Sequence, residues 1–166
     1  MCGYKEGDQP RRDRRGGCSQ PARGSRDDML GFTDQCVQRY LDVAKISLSS
    51  LRKAPTAGLD DCNFKPEDFE VAGTLASSAA SVLMKILYLA RNCRFDVLHP
   101  VCMLAREVTK WNRVCDRRLH RLVSYLHLTR EFSQERIVGD YPEDLKLCLY
   151  CDASFADCTM TSKSTT

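Results

Sequence analysis

Long hydrophobic runs are missing from this 166-residue chain. Its longest apolar stretch, Leu75 to Ala90, is interrupted by Ser77, Ser78, Ser81 and Lys85. A membrane-spanning helix needs about 20 mostly apolar residues, so no transmembrane segment is expected. The opening MCGYKEGDQPRRDRR lacks the apolar middle of a secretory signal. The expected location is therefore intracellular, cytoplasmic or nuclear, and not secreted. Glycine and proline are few, 9 and 6, which excludes a collagen-like chain. A hydrophobic fraction of 43% excludes a wholly disordered one. Phosphate-cradling and nucleophile-elbow patterns are also lacking: there is no GxGxxG, no GxxxxGK[ST] and no GxSxG. The three histidines, His99, His120 and His127, have no nucleophile at a recognisable spacing. No internal repeat is present.

Cysteine, by contrast, is plentiful. The ten cysteines fall at irregular intervals, and without an export signal an oxidising compartment is not indicated. Reduced thiols are expected, several of them packed as small hydrophobes. The pair Cys148 and Cys151 has metal-like spacing, but on a strand residues three apart point to opposite faces. With no second pair, a four-ligand zinc site is not expected.

Residues 1–30 read as a disordered tail of mixed charge, with seven basic and five acidic residues. Helical spacing begins with Thr33 or Asp34 as cap and Val37, Tyr40, Leu41 and Ala44 as the apolar face. A loop follows, marked by Pro55, Gly58, Asp60, Asp61 and Pro66. The strongest helix is predicted over Thr74 to Arg91, burying Leu75, Ala79, Val82, Leu83, Ile86, Leu87 and Ala90. Two more are predicted over Pro100–Lys110 and Val114–Leu128, the latter turning Leu119, Leu122, Val123 and Leu126 inward. Glu135–Val138 and Leu145–Cys151 read as a pair of strands. The expected fold class is α+β, mainly helical, closing on that strand pair.

Two features bear on chemistry. From Arg106 to Arg130 there are seven Lys or Arg against two acids. Within this stretch Arg113, Arg117 and Arg121 are spaced by four, a stripe along one helix face able to track phosphates. Asp152 stands at the end of an apolar strand, as hard oxygen ligands for Mg²⁺ do in metal-ion nucleases. One carboxylate does not complete such a site.

The order of motifs resembles the copia-type retrotransposon Pol polyprotein, from the end of its reverse transcriptase into its RNase H domain. The family phrase "LLYLA-x-TRPDI-x-x-AV-x-x-LSRF" is met by Ile86-Leu-Tyr-Leu-Ala-Arg-Asn-Cys-Arg-Phe-Asp-Val97 and then Val101-Cys-Met-Leu-Ala-Arg-Glu107. Its "KRILRYLKGT" helix is met by Arg118-Leu-His-Arg-Leu-Val-Ser-Tyr-Leu-His-Leu-Thr129. Its "YSDADWAGD" and "RKSTSG" are met by Tyr150-Cys-Asp-Ala-Ser-Phe-Ala-Asp157 and Ser162-Lys-Ser-Thr-Thr166. Earlier, Cys36-Val-Gln-Arg-Tyr-Leu and Lys53-Ala-Pro-Thr56 are similar to a thumb helix and the loop after it. The likeness covers residues 32–166. Phe95 stands where the family usually has proline, and Asp157-Cys158 replaces the family's Gly-Asp.

The resemblance implies thumb and connection helices over 31–131 and the start of a truncated RNase H domain over 132–166. In the parent it implies RNA-directed DNA polymerase activity and Mg²⁺-dependent cleavage of RNA in the hybrid. Asp152 matches the first catalytic, Mg²⁺-binding aspartate of RNase H, whose other ligands the family pattern puts beyond Thr166. The paired aspartates of the polymerase's YxDD-type hairpin do not occur in this sequence. The chain alone is thus expected to hold no complete catalytic site and to need no cofactor. Its expected partners are nucleic acid, through Arg113, Arg117 and Arg121, and the remainder of the Pol polyprotein, with no membrane. Two other readings stand beside this one. One is a non-catalytic nucleic-acid-binding module; the other is a helical interaction protein or non-functional gene remnant.

Overall fold

A computed structural model describes residues 23–138 and 146–150. The described residues divide between two units, one holding residues 24–137 and the other residues 23, 138 and 146–150. The helices among the described residues lie in the first unit. In order they are α1 (Leu30–Ala44), α2 (Pro66–Glu70), α3 (Ala79–Asn92), α4 (Leu98–Arg106) and α5 (Arg113–Leu128). Strands β1 (Arg23–Asp27) and β2 (Gln134–Val138) form a two-stranded antiparallel sheet. The class is α+β, as expected. No helix among the described residues is long and apolar enough to cross a membrane.

The core lies where α1, α3, α4 and α5 meet. Helix α3 supplies Ala79, Val82, Leu83, Ile86, Leu89 and Ala90, all fully buried. Their three- and four-residue spacing is one continuous stripe. Leu89 takes the buried place and Leu87 the half-buried one, because the stripe drifts around the helix as it lengthens. The inward set of α5 is as predicted: Leu119, Leu122, Val123 and Leu126 have no exposed surface, and Val114 joins them. Each such side chain removed from water contributes about 1.5–3 kcal/mol before entropy is counted.

Helix boundaries differ from the expectation for local reasons. Helix α1 begins at Leu30, whose amide is accepted by the Asp28 carboxylate at 2.8 Å. Thr33 is therefore no cap; it is buried inside the first turn, its hydroxyl donating to the Met29 carbonyl. The helix stops at Lys45, which adopts the left-handed conformation (φ 53°) that closes many helices. Helix α3 starts at Ala79 rather than Thr74, since residues 74–78 form turns pinned to α5. Helix α4 starts two residues before Pro100, which sits in the first turn where its missing N–H costs nothing. It ends at Arg106, and Val108–Lys110 is a separate 3₁₀ turn. Asn112 caps α5 by accepting from the Cys115 amide at 3.0 Å.

The strands bring the main corrections. Within the stretch expected as a tail, 1–30, the segment Arg-Gly-Ser-Arg-Asp at 23–27 is a strand that pairs with β2; residues 1–22 lie outside the described residues. An Arg136–Asp27 ion pair at 2.6 Å joins the two strands. The partner expected for β2, Leu145–Cys151, does not form a strand over Lys146–Tyr150. There Leu147, Leu149 and Tyr150 are almost fully exposed, so no sheet face buries their alternation. The strand argument that separates Cys148 from Cys151 lapses with it. Cys151, Asp152 and Asp157 lie outside the described residues. Cys36, Cys93 and Cys115 are buried free thiols, whereas Cys62 and Cys148 are exposed.

Candidate nucleic-acid interface

Helix α5 presents Arg113, Arg117 and Arg121 on the face away from its leucines, as their spacing requires. That face is partly covered. The short helix α2 packs against it, and its Asp68 lies 3.8 Å from the Arg113 guanidinium and 3.4 Å from that of Arg117. Phe64, just before α2, takes the Arg117 guanidinium over its ring at 4.7 Å and that of Arg118 at 5.5 Å. Arg121 is held from the other side. Its Nε donates to the Thr56 carbonyl at 2.9 Å and its Nη2 to the Thr56 hydroxyl at 3.1 Å. The Lys53-Ala-Pro-Thr56 loop and the basic stripe are therefore one structural assembly. Arg113 and Arg117 stay about half exposed or more and can still meet an external anion.

Behind Arg121 lies a cavity of about 500 Å³. Tyr40 and His120 line it, the tyrosine hydroxyl 3.0 Å from His120 Nδ1. Burial pushes the His120 pKa below its usual 6.5; a bond to the Ser50 backbone opposes this and the nearby Arg52 charge adds to it. The imidazole is thus neutral at pH 7 and pairs through Nδ1 with the Tyr40 hydroxyl. Burial, helped by the Asp116 charge, raises the tyrosine to about 12 and keeps its proton in place.

Asp116 is the acid of this cavity and is fully engaged. Its Oδ2 accepts from the Thr74 amide at 2.6 Å and the Thr74 hydroxyl at 2.9 Å. Its Oδ1 accepts from the Trp111 indole at 2.7 Å and the Leu75 amide at 3.2 Å. Next to it, residues 71–73 run antiparallel to 111–113, with Gly73 N–H donating to Trp111 O. A Cβ on Gly73 would stand 2.5 Å from the Trp111 ring and 2.6 Å from the Asn112 carbonyl, so only glycine fits.

Sequence reasoning missed a second charged cluster. Arg94 is 2% exposed. Its Nε and Nη2 grip the Asp96 carboxylate at 2.9 and 2.7 Å. Nη1 reaches the Thr129 carbonyl at 2.9 Å, and Nη2 also reaches the Thr129 hydroxyl at 2.7 Å. Thr129 caps the C-terminal end of α5, where carbonyls lack helical partners. Tyr125 and Phe132 flank the guanidinium with ring centroids at 5.7 and 5.4 Å. Burial alone would raise the Asp96 pKa, but the Arg94 hydrogen bond and charge, with the Tyr125 hydroxyl, hold it below 3.8. The only hint in the sequence is that Arg94 and Asp96 stand at the R and D of the phrase that resembles "TRPDI", which says nothing of their burial. Phe95, between them, is half exposed and begins a 3₁₀ turn.

Among the described residues no three His, Cys, Asp or Glu side chains gather as a metal site. Asp152, the Mg²⁺ candidate, is not among them. Comparison with protein-family models, curated proteins and solved structures returns no match.

Proposed function

We propose that this chain corresponds to the thumb and connection region of a copia-type retrotransposon Pol polyprotein, running into its RNase H domain. The observation that carries this reading is the order and spacing of four family-like motifs across residues 32–166. On this reading residues 31–131 steady the template–primer duplex, and residues 132–166 begin the RNase H-like domain. Asp152 is the first Mg²⁺ ligand of that domain in the intact parent, where Mg²⁺ would stabilise the charge of phosphoryl transfer. The location that goes with it is cytoplasmic or nuclear. Arg113, Arg117 and Arg121 meet backbone phosphates, which positions a duplex without reading its bases.

The test is a salt titration of binding to an RNA–DNA hybrid duplex by the full chain. Affinity should fall with salt by about 0.9 log units per log unit for each phosphate neutralised. Replacing Arg113, Arg117 and Arg121 together by glutamine should flatten that slope by about two to three units, with helicity unchanged by circular dichroism. Binding that lacks salt dependence, or an unchanged slope in the triple variant, rejects the nucleic-acid role and leaves a helical interaction protein.

A further inference from the structure

We propose that the cavity between α1, α5 and the 50–59 loop binds a nucleoside 5′-monophosphate. Arg52 and Lys53 would hold the phosphate and the apolar wall of Ile46 and Leu59 the base. Three observations converge on this ligand class. The volume, about 500 Å³, lies in the range of about 300–1,000 Å³ typical of small-molecule sites and far exceeds what a bare phosphate fills. Arg52 and Lys53 line the cavity and are exposed, so they stand at its rim; neither engages an acid among the described residues. The cavity's acid, Asp116, accepts four hydrogen bonds from the protein, so its acceptor positions are taken, and its single charge is outnumbered by the cations of the lining.

The floor suits the same ligand. His120 and Tyr40 hydrogen-bond each other and present no charge, so neither adds to the single negative charge of Asp116 against the rim cations. Ala54, on the loop between the rim cations and Thr56, is 1% exposed, and Arg121 fastens Thr56 to α5. The backbone carrying Arg52 and Lys53 is therefore anchored close to the cavity before any ligand arrives. Anchoring of this kind lowers the ordering cost of binding. A guanidinium beside an ammonium suits a phosphate monoester: a planar fork for two oxygens and a point charge for the third.

Arg117 and Arg121 of the α5 stripe also line the cavity, but the phosphate contacts proposed here are those of Arg52 and Lys53, which lie outside the stripe, so the two roles can be tested apart. Calorimetric titration of the full chain with adenosine 5′-monophosphate, adenosine and inorganic phosphate tests it. One molecule of the monophosphate should bind per chain, with adenosine and inorganic phosphate each at least about tenfold weaker. The double variant Arg52→Gln/Lys53→Gln should lose at least about tenfold in affinity for the monophosphate, as removal of charge-assisted bonds implies. A second variant, Ala44→Leu, narrows the cavity without altering charge and should weaken the monophosphate while leaving inorganic phosphate unchanged. No binding of the monophosphate at millimolar concentration overturns the proposal. So does equal affinity for all three probes, or undiminished binding by the double variant. Retained hybrid-duplex binding in that case would leave the role of the stripe standing.

Discussion

Arg94 and the arginines of the α5 face carry the same guanidinium in opposite circumstances. Arg94 is buried, its donors are bonded to Asp96 and Thr129, and two rings flank its planar faces. Arg113 and Arg117 share one carboxylate at 3.8 and 3.4 Å and keep about half or more of their side chains in water. The first arrangement fixes geometry; the second leaves charge to spare. A positive charge that the fold has already neutralised and hydrogen-bonded holds helices together. One that the fold leaves facing solvent costs little to keep and can bind an external anion.

Replacing Arg94 by methionine should show the largest effect. The change leaves Asp96 without its partner and the end of α5 without its donor, which should cost about 3 kcal/mol in urea denaturation. The value sits at the low end for buried pairs because Asp96 is 35% exposed. A loss below 1 kcal/mol would erase the distinction between the two kinds of arginine.

Acid titration should separate the two regions by pH. His120 has its pKa depressed in the folded chain, so below 6.5 the unfolded chain binds more protons. Stability should therefore fall as pH drops from 6.5 through the folded-state pKa, and a His120→Asn variant should lack that component. Asp96 is likewise depressed, below 3.8, so its contribution persists until pH falls through that lower range. Denaturation midpoints at pH 7.5, 5.5 and 3.5 for both proteins would read the two windows. Wild type and variant losing stability in parallel between pH 7.5 and 5.5 would remove His120 from the account.

The smallest effect is expected at the cavity rim. Arg52→Gln/Lys53→Gln should unfold within about 0.5 kcal/mol of the wild type, as surface substitutions do. A larger loss would place these cations with Arg94 as structural groups.

The sequence disclosed what depends on local periodicity and concealed what depends on meetings across long separations. Leu119, Leu122, Val123 and Leu126 were legible because a helix buries every third or fourth residue. Arg94 was not: a charge in a break between helices reads as solvated. Its burial needs Thr129, 35 residues away, to bring carbonyl and hydroxyl acceptors. The Tyr40–His120 bond spans 80 residues and has no pattern at all. Strand β1 escaped because Arg-Gly-Ser-Arg-Asp has almost no strand propensity, and only its pairing with β2 defines it. The stripe at Arg113, Arg117 and Arg121 was readable as a face; that Asp68 and Thr56 would reach it was not.

The buried thiols offer a clock for the motions of this core. Burial lifts Cys36 on α1 to about 12 and also raises Cys115 on α5, so neither supplies thiolate while the helices stay docked. Alkylation at each must wait for its helix to swing open, whereas exposed Cys62 and Cys148 react at once and set the reference rate. Equal lag times at Cys36 and Cys115 signify one cooperative opening of the whole core. A shorter lag at Cys36 signifies that α1 detaches by itself and exposes the Tyr40 wall of the cavity.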